Sequence, residues 1–179
     1  MKSLLDVATI AAAVGCGLSG GVFFAFSTFV MPALGRLPAA QGIAAMQAIN
    51  VDAINAPFMA VLFGSGVIGV GVAGVALAQK EQGAPWFVAA ALVYLGGTLL
   101  VTMACNVPLN EALADLEPAG APSAAFWARY VAHWTNWNHV RAVGGALSAA
   151  LLVVAVLARA KAPPTATAKL VPVACDSSR

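Results

Sequence analysis

The chain has 179 residues, of which 61% are hydrophobic and 9% charged, and its net charge is +2. An average soluble domain carries about 25% charged residues, so this composition excludes a water-soluble fold and reads as an integral membrane protein. With so small a charge and no basic cluster, a nucleic-acid partner is excluded as well, and membrane lipid is the expected surroundings.

Four apolar runs are long enough to cross a bilayer, which takes about 20 helical residues. They are Leu4–Met31, Pro57–Ala78, Pro85–Val107 and Val140–Ala158. The first is longer than the roughly 7–15 apolar residues of a signal-peptide core and has no small-x-small cleavage site, so it is expected to be retained. Pro32 and Pro108 stand just past the first and third runs. A proline cannot donate a backbone hydrogen bond, and in lipid that loss is costly, so both are expected to end their spans.

Two long connections separate these runs, Gly35–Ala56 and Leu109–Trp137. Both fit amphipathic helices. Ile43, Met46, Ile49 and Ala53 recur at helical spacing in one, and Phe126, Tyr130 and Trp134 in the other, with Glu111, Asp115 and Arg129 toward water. Trp127 reads as an interfacial anchor. Lys80-Glu81-Gln82-Gly83 is a short turn. The expected fold is all-α: a four-helix transmembrane bundle over residues 1–158 with amphipathic helical connections, followed by a disordered cytoplasmic tail over 159–179. Glycines at 15–21, 64–74 and 96–97 suit close helix packing, and Gly17 and Gly21 form a GxxxG pair. Packing within the chain is favoured over a homo-oligomer contact, which stays open. Cys16, Cys105 and Cys175 make no disulfide framework.

Six of the nine basic residues, Lys2, Lys80, Arg159, Lys161, Lys169 and Arg179, lie at the termini or in the 80–83 turn. The long connections hold Arg36, Arg129 and Arg141 beside Asp52, Glu111, Asp115 and Glu117. By the positive-inside rule both termini are expected in the cytoplasm and both connections on the exoplasmic side.

The densest hydrogen-bonding chemistry is Trp134-Thr135-Asn136-Trp137-Asn138-His139-Val140-Arg141, where the second connection meets the last span. Within a helix Trp134, Asn138 and Arg141 share a face, and His133 and Trp137 sit beside them. His139 is turned about 100° from Asn138, toward a neighbouring helix or another wall of the same site. Asn50, Asn106 and Asn110 belong to the same membrane face. Each has a plain structural reading: tryptophans as anchors, asparagines as caps or interhelical bonds, Arg141 reaching to headgroups. Arg141 and Asn106, however, lie at the inner edge of the polar zone, where an ionisable group is costly and tends to be functional. The candidate catalytic residues are His139, His133 and Arg141; the candidate substrate-binding residues are Asn50, Asn106, Asn110, Trp134, Trp137 and Asn138. The two histidines are six apart, and no HExxH, CxxC, P-loop or GxGxxG pattern occurs, so no metal is assigned and no nucleotide cofactor is expected.

Several blocks occur in a telling order: Phe23-Phe24-Ala25-Phe26-Ser27, Met31-Pro32-Ala33-Leu34, Met46-Gln47-Ala48-Ile49-Asn50, Asn106-Val107-Pro108-Leu109-Asn110, then Trp134 to Arg141. In this order, over about residues 5–158, the chain resembles the anthrone-oxygenase-like family of small four-helix membrane proteins, which is widespread in bacteria. The resemblance implies a bacterial inner-membrane location. It also implies an O2-dependent oxidation of a hydrophobic small molecule, since the fungal members convert anthrones to anthraquinones with no established organic cofactor. In that chemistry an electron-rich enolate reacts with O2. His139 or His133 would serve as the base, Arg141, Asn138 and Asn106 would hold the oxyanion, and Trp134 and Trp137 would form aromatic walls. The competing reading is a non-catalytic small-molecule binder or accessory membrane protein. A transporter is disfavoured, because the spans show no midplane charge and no clear inverted repeat.

Overall fold

The computed structural model describes residues 2–120 and 123–160, and every regular element in them is helical. Four helices are long and apolar enough to cross a membrane: Leu4–Leu34, Ala56–Ala78, Ala84–Ala114 and Ser123–Ala160. They are called here the first to fourth spans. A connecting helix, Ala39–Asp52, joins the first two. Its buried stripe of Gly42, Ile43 and Met46, continued by half-buried Ile49, follows the amphipathic spacing. Of the expected tail, residues 161–179 lie outside the described residues; Arg159 and Ala160 are the last turn of the fourth span.

The two prolines do not end their spans. The first rod passes through Pro32 into Met31–Leu34, and the third passes through Pro108 into Val107–Ala114. In both, the proline is the second residue after a π-helical turn, Phe26–Val30 in one and Thr102–Asn106 in the other. The physical reason is the same twice. A proline ring clashes with the carbonyl four residues back and has no N–H to bond it. An extra residue in the preceding turn shifts the ladder to i→i−5, as in Met31 N–H to Phe26 O and Val107 N–H to Thr102 O, and the rod continues.

The fourth span also begins earlier than hydropathy suggests. The expected amphipathic connector and the apolar run are one helix of 38 residues. Its buried positions, Trp127, Tyr130, Trp134, Asn138, Arg141, Gly145, Ser148, Leu152 and Ala155, advance by steps of three and four. That spacing keeps one stripe facing the bundle along the whole rod. Trp127 belongs to this stripe and is not an interfacial anchor: it is 4% exposed, and a Cβ added at Gly42 would fall 2.7 Å from its ring.

The fourth span is the centre of the bundle, packed on the first and third spans and on the connecting helix. Two glycine contacts bring it close. A Cβ at Gly145 would lie 2.8 Å from Gly20 Cα, and one at Gly144 3.0 Å from the Gly97 carbonyl carbon. Close contact therefore runs through Gly20, not through the GxxxG pair, since a Cβ at Gly21 would meet nothing within 4 Å.

At one end Arg159 bonds both Asp6 and Glu81, which ties the fourth span to the start of the first and to the 80–83 turn. The two long connections lie at the other end. Arg159→Ala is expected to lower stability by about 1–3 kcal/mol. Most of this comes from the Glu81 arm, because the Asp6 side chain is 45% exposed and Glu81 only 16%. A thermal melt in detergent against wild type measures it.

Candidate functional site

The polar stretch of the fourth-span stripe faces the π-helical turn of the first span and two π-helical segments of the third, Tyr94–Leu100 and Thr102–Asn106. Asn138 is its hub. The Asn138 Nδ2 donates to the Phe23 carbonyl at 2.6 Å and to Ser27 Oγ at 2.7 Å, and its Oδ1 accepts from Arg141 at 2.7 Å. All three bonds are buried, so this amide locks the fourth span to the first. Asn138→Ala removes them together and is expected to cost about 2–4 kcal/mol, at roughly 1 kcal/mol per neutral bond and more for the charged one. Unfolding titrations in mixed detergent read that loss.

Arg141 is 5% exposed. Its guanidinium carbon lies 4.2 Å from the centre of the Phe23 ring and 4.8 Å from that of Trp134. Among the described residues it makes no ion pair, because the ion pairs there are those of Arg159. The four acids of the long connections, Asp52, Glu111, Asp115 and Glu117, are all exposed. Arg141 Nε is buried and has no hydrogen-bond partner.

The burial of this cation is offset without a counter-charge among the described residues. Taking a guanidinium out of water costs several kcal/mol even after relaxation. Two cation–π contacts return up to about 2 kcal/mol each, and a charged hydrogen bond about 1.5–3 kcal/mol. A counter-ion at about 4 Å would add roughly 4 kcal/mol at an effective dielectric constant near 20. None is supplied by the described residues.

The third span adds Asn106, fully buried, whose Nδ2 donates to the Trp134 carbonyl at 3.1 Å while its Oδ1 has no partner. One turn on, Asn110 Oδ1 accepts from Trp134 Nε1 at 2.8 Å and from the Tyr130 hydroxyl at 2.9 Å. Tyr130 stacks on Trp134 and on Trp127, with centroids 6.5 and 5.6 Å apart, and Phe26 tilts against Trp134 at 5.8 Å. Thr98 Oγ1 donates to the Arg141 carbonyl at 3.3 Å from below.

Of the residues singled out in the sequence, Arg141, Asn138, Asn106, Trp134 and Asn110 are thus brought together. Asn50 is half-buried on the connecting helix, with its Nδ2 buried and unpartnered. His133, His139 and Trp137 are exposed, Trp137 to 43%. Helix geometry explains the split: each of the three is one residue from Trp134 or Asn138, hence turned by about 100° off the buried stripe. His139 faces no second wall of the cluster. Among the described residues no group of three His, Cys, Asp or Glu could hold a metal ion.

Five residues of the cluster were not candidates. Tyr130 lay on the same helical spacing as Trp134 and could have been found by extending the stripe backward. Phe23, Phe26, Ser27 and Thr98 come from other spans; the first three lie in the block that carries the family resemblance, and no local signal marks Thr98.

An apolar groove of about 480 Å³ between the first and fourth spans, lined by Thr9, Ala13, Ala149 and Val153 among others, lies in the half of the bundle nearer Arg159. It shares no residue with the polar cluster.

A family model described as Anthrone oxygenase matches residues 56–152, more than half of the chain. The matched region holds the second and third spans, the Asn106–Asn110 block and the fourth span through Leu152. No curated protein and no solved structure matches.

Proposed function

The chain belongs to the anthrone oxygenase family, and on that premise we infer that it carries out an O2-dependent oxidation of a hydrophobic aromatic molecule at the Arg141 cluster. The observation that carries this reading is a buried guanidinium with an open Nε and no carboxylate among the described residues. Such a group stabilises negative charge as it develops on a bound oxygen, and a preorganised donor of this kind is worth about 10²–10³ in rate.

The chemistry balances with O2 as the oxidant. A ring methylene conjugated to a carbonyl loses a proton, and the electrons pass onto the carbonyl oxygen as an enolate. The enolate carbon gives one electron to O2, the radical pair closes to a peroxide anion that takes a proton back to become a hydroperoxide, and loss of water leaves a second carbonyl. One CH2 and one O2 become one C=O and one H2O. Arg141 Nε would hold the enolate oxygen. Asn106 Oδ1, an unpartnered acceptor, would take a hydroxyl proton of the same ligand. Trp134, Phe23 and Phe26 supply the aromatic surface.

The cluster holds no imidazole or carboxylate, and both histidines are exposed. The proton therefore leaves to water or to a group at the rim, made acidic by the cation rather than pulled by an internal base. The absence of such a base from the cluster also favours a second reading, a binder of hydrophobic small molecules without turnover. The connection end, which holds the cluster, is placed on the exoplasmic side and the Arg159 end in the cytoplasm, on the balance of basic residues.

Purified protein given anthrone and O2 tests the assignment, with O2 uptake and quinone absorbance as readouts. The His139→Ala and His133→Ala proteins are expected to stay within about threefold of wild type, the range of a rim proton acceptor that water can replace. Equal rates with and without protein would rule out this substrate. A loss of a hundredfold in His139→Ala would restore the imidazole as the base.

A further inference from the structure

The Arg141 cluster is one negative charge short, and that shortage has a consequence for what it binds at rest, apart from any reaction. We propose that the cluster is a binding site for aromatic monoanions, including unreactive ones such as aromatic carboxylates, and that it selects them over neutral molecules of the same shape. This rests on the cluster being the ligand site, as in the reading above, but not on oxidation taking place there.

Three observations carry it. The cation is nine-tenths buried and unpaired among the described residues: Arg141 is 5% exposed, and the acids nearest in sequence to the cluster, Glu111, Asp115 and Glu117, are exposed. Its one hydrogen bond goes to a neutral amide, Asn138, whose nitrogen is already committed to Phe23 and Ser27 and cannot turn to serve as anything else. The open donor is Nε, at the edge of the guanidinium plane, while the rings of Phe23 and Trp134 stand over its carbon at 4.2 and 4.8 Å. A ligand oxygen must therefore arrive at the edge, beside aromatic surface. A hydrated inorganic anion has nothing to gain from that surface; a flat aromatic body with an ionised oxygen gains from both.

The remaining unpartnered atom sets a further preference. Asn106 Oδ1 is a buried acceptor on the third span beside Trp134, whose carbonyl its own amide nitrogen bonds. An acceptor repels a second anionic oxygen but welcomes a hydroxyl. The site thus prefers one ionised oxygen with a hydroxyl donor near it over a dianion.

Binding of 2-naphthoate and of its neutral counterpart 2-acetylnaphthalene to the full chain in zwitterionic lipid nanodiscs tests this, with partition into empty nanodiscs subtracted. Wild type is expected to bind naphthoate at least tenfold more tightly than the ketone. Arg141→Met should abolish the preference. Arg141→Gln, which can still donate to Asn138 Oδ1 but carries no charge, should abolish it as well, and it serves if the methionine variant does not fold. Equal affinities in wild type, or a preference that survives in either variant, would overturn the proposal. Anthrone turnover in the same preparations separates the two readings. Turnover with no naphthoate preference sinks the anion site alone. Naphthoate preference without turnover upholds it and leaves the oxygenase reading without support.

Discussion

Arg141→Met is expected to leave the bundle folded, with a Tm within about 5 °C of wild type, while turnover falls at least a hundredfold. The two halves of that result have different causes. Removing the charge forfeits the cation–π contacts with Phe23 and Trp134 and leaves Asn138 Oδ1 buried without its donor, a loss of roughly 3–5 kcal/mol together. It also removes a desolvation cost of several kcal/mol that no counter-ion among the described residues offsets. The terms nearly cancel, and in a chain of this size 1 kcal/mol moves Tm by only about 2–4 °C. Activity has no such compensation, because methionine offers no donor to a developing oxyanion. Circular dichroism melts and O2 uptake on one preparation check both halves. A protein that aggregates or melts more than about 15 °C lower would show Arg141 to be a structural member instead.

Gly145→Val is expected to damage the fold severely. Its Cβ would lie 2.8 Å from Gly20 Cα and 2.9 Å from both Gly20 N and the Cys16 carbonyl oxygen, all backbone atoms that cannot turn aside. The first and fourth spans must then separate, at a cost of about 3 kcal/mol or more. The same crossing fixes the layer above it, where Phe23 and Ser27 of the first span meet Asn138 and Arg141 of the fourth. Ligand binding should fall with stability. Gly21→Val is the control: nothing lies within 4 Å of its added Cβ, and the position is exposed, so its melt should match wild type within about 0.5 kcal/mol. A pattern search for GxxxG would have ranked the two the other way. Equal destabilisation of both would contradict the crossing described here.

The family match covers residues 56–152 and leaves out the first span and the connecting helix. Three members of the cluster, Phe23, Phe26 and Ser27, come from outside the matched region. Substitutions at these positions are where relatives with different ligands would be expected to differ.

The four spans, the amphipathic connecting helix and the shared face of Trp134, Asn138 and Arg141 were legible in the amino-acid sequence. Hydropathy over about 20 residues and the 3.6-residue repeat are properties of a chain segment by itself. Only the tertiary structure decided the rest. It carried the rods through Pro32 and Pro108 on π-helical turns, placed Gly20 against Gly145, brought Phe23 and Ser27 to Asn138, and left His133 and His139 outside the cluster. Those outcomes depend on which face of one helix meets which face of another, and on which buried polar groups find partners across that contact. Neither is written in the local pattern of either helix, because a hydrogen bond between residues 111 or 115 positions apart leaves no periodicity in the chain that makes it.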